Sequence, residues 1–96
     1  MYLHVGWDEV LKAEDIVTIC DIDCWSSRPE NRDILEEAEE RGRVRRIRFR
    51  EDGERREIRS VIVYRDEILL SPITSTTLQQ RANVMAQTNQ PRRRLP

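Results

Sequence analysis

The sequence is poor in the residues that most site chemistry needs. Among 96 residues it has one histidine, three glycines and two cysteines, and aromatic residues make up only 5%. The single histidine, His4, sits in a strand-like stretch near the start, and Ser26, Ser27 and Ser71 have no evident base partner, so nucleophilic and acid–base catalysis have no equipment. Gly6, Gly42 and Gly53 are too scattered to form a phosphate-cradling loop. Cys20 and Cys24 make no disulfide framework, and together with His4 they fall short of a four-ligand zinc pattern. The expectation is a protein that is not an enzyme and has no cofactor, metal or small-molecule ligand. No run approaches the roughly 20 apolar residues of a membrane span. The opening, Met1 to Gly6, lacks the basic and long apolar regions of a secretory leader, which points to the cytoplasm.

Charge is what the chain has in abundance. Charged residues are 36% of the total, yet the net charge is only −1. Residues 1–40 carry a net −9, residues 41–65 a net +6 and residues 66–96 a net +2. Lys12 is the sole lysine, so the remaining bases are arginine, whose planar fork grips phosphate or carboxylate through two hydrogen bonds. Such asymmetry points to a basic binding surface or to head-to-tail contact between copies. A domain of this size buries only about two-thirds of its unfolded surface, so oligomerisation is expected as a source of stability.

The expected fold class is α+β: a small antiparallel sheet of short strands, one acidic helix between strands and one C-terminal helix. Residues 2–5 and 9–12 read as two short strands across a Gly6-Trp7-Asp8 turn. Residues 15–22 form a β-branched, near-continuous apolar run, read as a buried strand with Cys20 as a small core residue. Trp25 reads as a core or interface anchor. Ser27-Arg28-Pro29-Glu30 fits a capping box, opening a helix to about Arg41 that Gly42 ends. Its stripe of Ile34, Leu35 and Ala38 is narrow, and Glu36, Glu37, Glu39 and Glu40 oppose the helix dipole. Residues 67–70 read as a strand reached through a turn at Arg65-Asp66. Thr76 with Gln79 suggests a capping box for a helix over 76–87. The domain is expected to span 1–87, with 88–96 a disordered basic tail.

Residues 44–50 and 58–64 both have strand character, with Asp52-Gly53, a favoured two-residue hairpin turn, between them. In that register Ile47 faces Ile58, Arg46 faces Arg59 and Arg50 faces Arg55. Arg46, Arg48, Arg50, Arg55, Glu57 and Arg59 then share one face. Like charges directly opposite one another destabilise a hairpin, which makes sense if the face meets acidic groups. Arg46, Arg48, Arg50, Arg55 and Arg59 are therefore candidate nucleic-acid contacts. Neither helix is basic enough to read a major groove. Phe49 alone interleaves the arginines, so no stacking platform favours RNA.

The ends of the chain resemble a known family. Met1-Tyr2-Leu3-His4-Val5-Gly6, then Asp15-Ile16-Val17, then Ser71-Pro72-Ile73-Thr74-Ser75-Thr76-Thr77-Leu78 with Arg81-Ala82, are similar to the RemB branch of the RemA/RemB extracellular matrix regulators. The resemblance implies a bacterial cytoplasmic regulator of biofilm matrix genes that forms ring-like homo-oligomers and meets duplex DNA through arginines. One family arginine, just ahead of the apolar strand, is matched here by Asp15, a reversal of charge. The others fall in the segment Gly53 to Arg59, ahead of Val61-Ile62-Val63, so the resemblance carries them over to Arg55, Arg56 or Arg59 and adds Arg56 to the candidate contacts. Two functions follow as expectations. In one, an oligomer holds the phosphate backbone of DNA through these arginines. In the other, a scaffold or partner regulator that binds no DNA docks its basic hairpin on the acidic helix of the next subunit.

Overall fold

The computed structural model describes residues 1–6, 9–48 and 56–89, with side chains as far as residue 83. The architecture is α+β, as the sequence leads one to expect. Strands β1 (Tyr2–His4) and β2 (Val10–Lys12) pair as an antiparallel ribbon, with Leu3 opposite Leu11. The Val5 amide donates to the Glu9 carbonyl at 3.1 Å and closes the ribbon. A single 3-10 turn, Ala13–Asp15, leads into β3 (Ile16–Asp21). Helices α1 (Ile22–Ser26) and α2 (Pro29–Glu40) follow, then β4 (Val44–Arg46), β5 (Ser60–Tyr64), β6 (Glu67–Ser71) and α3 (Ser75–Asn89).

The second sheet has the order β3-β5-β6-β4. β5 pairs antiparallel with both β3 and β6, whereas β4 pairs in parallel with β6. This corrects the expected pairing of residues 44–50 with 58–64. Ile47 does not face Ile58: its amide donates to the Leu70 carbonyl at 2.9 Å. Arg46 lies opposite Leu70, not Arg59. The cause is burial. Val61 and Ile62 are fully buried, so β5 takes the centre of the sheet and both its edges are filled. β4, flanked by arginines, suits an edge, where charge discourages further pairing. The Asp52-Gly53 turn, Arg50 and Arg55 lie outside the described residues.

Strand alternation gives the sheet two apolar faces. Ile62 and Leu69 join Leu3, Val5, Leu11, Ile47 and Leu78 in one cluster, under the β1–β2 ribbon and α3. Val61 and Ile68 join Trp25 in the other, with Leu35, Ala38 and Val44 packed against it under α1 and α2. Trp25 is therefore a core anchor. Cys20 packs on the same side, and both cysteines are free thiols. Each fully buried Leu, Ile or Val in these clusters stabilises the fold by about 1.5–3 kcal/mol.

The helix boundaries show where local signals competed. Ser27 does not cap α2: the N-cap is Arg28, without a side-chain bond, and Pro29 opens the helix. The Ser27 hydroxyl instead donates to the Cys24 carbonyl at 2.7 Å, closing the unexpected helix α1. Asp21 caps α1 by accepting from the Asp23 amide at 2.8 Å. Gly42, at φ +69°, ends α2 in the left-handed conformation that a Cβ disfavours. For α3 the cap is Thr74 rather than Thr76, its hydroxyl accepting from the Thr77 amide at 3.2 Å. The helix runs two residues past its expected end, and residues 90–96 lie outside the described residues.

Candidate nucleic-acid interface

The arginines in and next to the strands of the four-stranded sheet fall at its two ends. At the β5–β6 turn, each is matched to acid. Arg43 donates to Asp66 at 2.9 Å, and Arg45 donates to Glu9 at 2.9 Å with Glu67 at 3.9 Å. Arg65 places Nε at 3.0 Å and Nη2 at 2.6 Å from one oxygen of Asp15, and its amide donates to the Asp15 carbonyl. Hydrogen bonding to Glu9 raises the pKa of Arg45, and hydrogen bonding to Asp15 raises that of Arg65. Both guanidinium groups therefore stay charged at any working pH. Arg65 also lies over the Tyr64 ring, 5.2 Å from its centre, and holds φ +56°, a conformation unusual for a residue with a Cβ.

The opposite end gathers the candidate contacts. Ile47 binds Leu70 on one side of β6, while the Arg59 amide donates to Ser71 at 2.8 Å on the other. Two strand spacings, roughly 10 Å, thus separate the chain at residues 46–48 from the chain at residue 59. Arg46, Leu70, Val61 and Cys20 occupy one row across the sheet. The Arg46 guanidinium reaches over to the Arg56 carbonyl at 3.5 Å, tying the two segments together. Arg46, Arg48, Arg56 and Arg59 are all exposed. Arg46 and Arg59 make no ion pair among the described residues. The structure therefore brings together four of the six candidates by a route other than the expected hairpin, with β6 as the spacer.

The scan against family models matches the RemA-like model, extracellular matrix regulatory protein A-like, over residues 2–82. The chain belongs to the RemA-like family. Membership brings with it a role in extracellular matrix regulation. Comparison with the curated proteins gives no match. The match covers both sheets of this RemA-like chain, helices α1 and α2 and the opening half of α3.

Two features of the site had little or no signal in the sequence. The Asp15–Arg65 pair joins residues fifty apart, and nothing local announces it. The Asp15 carboxylate is held by a guanidinium supplied from the β5–β6 turn. The crossing of Gly6 against residues 47 and 48 was likewise hidden, although a glycine directly after a strand is a cue for close backbone approach. No cluster among the described residues is fit to hold a metal ion.

Proposed function

We propose that this chain is a RemB-like, cytoplasmic regulator that acts as a ring-like homo-oligomer and holds the phosphate backbone of duplex DNA through the arginine end of its sheet. The observation that carries this reading is the convergence of Arg46, Arg48, Arg56 and Arg59 around the end of β6. Arg50 and Arg55 belong to the segment that joins them and add to the same basic stretch. A single subunit of net charge −1 attracts DNA weakly, whereas a ring repeats the same guanidinium groups in every copy and gains by multivalency. Contacts of this kind position DNA and carry little sequence information, so any preference would come from DNA deformability. The test is binding of the intact protein to unrelated duplexes across a salt series. Similar affinities that fall steeply with salt support the reading, and salt-independent or absent binding rejects it.

A specific observation favours a second reading. Helix α2 exposes Glu30, Asp33, Glu36, Glu37, Glu39 and Glu40, and among the described residues only Glu37 of these has an ion-pair partner, Arg41 at 3.9 Å. In this reading the protein is a scaffold or partner regulator that binds no DNA, and the basic segment of one copy docks on α2 of the next. Light scattering separates the two. Glutamate substitutions at Arg46 and Arg59 dissolve the oligomer in the second reading and leave it intact in the first.

A further inference from the structure

The end of β1 is gripped from three sides. The buried Ser71 hydroxyl donates to the Val5 carbonyl at 2.9 Å. Arg81 of α3 donates to the His4 carbonyl at 3.1 Å. On the third side lies the chain leaving β4: a Cβ at Gly6 would collide with Cγ2 of Ile47 and stand 2.8 Å from the Arg48 carbonyl oxygen. Neither approach is tolerable for a carbon. Ile47 cannot simply retreat, because it is buried in the cluster with Leu3, Val5 and Leu69 and its amide is tied to Leu70. Any side chain at position 6 must therefore push the main chain at residue 48 outward.

From this contact we infer that Gly6 is a positioning residue for the arginine end, setting the height at which the backbone of residues 46–48 leaves the sheet. The inference rests on the DNA-binding reading only for its functional consequence. The other glycine described here supplies the contrast. Gly42 meets nothing within 4 Å and is needed for its positive φ, so changing it is expected to affect stability without moving the arginines at the far end of the sheet.

The test uses the intact protein carrying Gly6→Ala in an Ile47→Leu background. Leucine has no Cγ2, so the double variant keeps only the push against the Arg48 oxygen. Ile47→Leu alone and Gly42→Ala are the controls. Amide NMR shifts are expected to change in the double variant at residues 46–48 and to stay unchanged along α2. The slope of log affinity against log salt is expected to become shallower by about one, the share of one phosphate contact, while both controls keep the parent slope. Shifts spread evenly over the chain, or an unchanged slope beside a normal parent slope, overturn the assignment. So does a double variant that fails to fold, which would make Gly6 a requirement of folding. If the parent protein binds no DNA, the functional reading falls, and the NMR pattern alone then decides whether Gly6 sets this backbone.

Discussion

The two ends of the β3-β5-β6-β4 sheet use Arg43, Arg45 and Arg65 at one end and Arg46 and Arg59 at the other differently. At the β5–β6 turn, Arg43, Arg45 and Arg65 close pairs with Asp66, Glu9 with Glu67, and Asp15, binding the turn to β4, the ribbon and the 3-10 turn. At the far end, Arg46 rests on a main-chain oxygen and Arg59 has no ion pair among the described residues. An arginine with its own carboxylate nearby has little attraction left for a phosphate. An exposed arginine without one retains it. Arginine count therefore says less about a binding surface than the acids the fold brings alongside.

Substitutions can break or sharpen that contrast, starting with the largest effect. Leu69→Ala removes a fully buried side chain from the strand both ends share, and is expected to cost about 2–5 kcal/mol by urea unfolding. If the loss is that large, DNA affinity measured near room temperature falls with the folded fraction, so this variant tests the shared scaffold rather than either end. Gly42→Ala forces a Cβ into the left-handed region at φ +69° and is expected to cost about 1–2 kcal/mol, with no change in DNA binding. Thr74→Ala removes the cap of α3 and is expected to cost about 1 kcal/mol, read from the same unfolding curves. Arg45→Ala opens a half-exposed pair at the turn and is expected to cost under about 1 kcal/mol, less at high salt. Asp15→Asn is expected to lower the melting temperature slightly at low salt only, and to leave DNA affinity unchanged or raised.

The elements were legible wherever local chemistry decides them. The proline and glycine that bracket α2 and the Arg65-Asp66 turn were set by residues adjacent in sequence, and the β-branched run before Asp21 does form a strand, but an edge strand with no buried residue rather than the buried one expected. Strand order was not. Asp52-Gly53 argued for pairing residues 44–50 with 58–64, but β5 was claimed on both sides by β3 and β6, and a local turn signal cannot register that competition. α1 was missed because it is a single turn fixed by the Asp21 cap and by the burial of Trp25, and the latter is a tertiary fact. Arg46, Arg48, Arg50, Arg55 and Arg59 were named from density and alternation, and Arg56 from the family resemblance. What the sequence could not show was the β6 strand lying between the two arms, or the carboxylates that neutralise Arg45 and Arg65.

The most direct test compares salt slopes for duplex binding in two double variants. One is Arg46→Ala with Arg59→Ala at the far end, and the other is Arg43→Ala with Arg65→Ala at the turn. The first is expected to flatten the slope by about two, and the second to leave it at the parent value. Equal slopes, or a flattening confined to the turn pair, would contradict the assignment of the phosphate contact to the far end of the sheet.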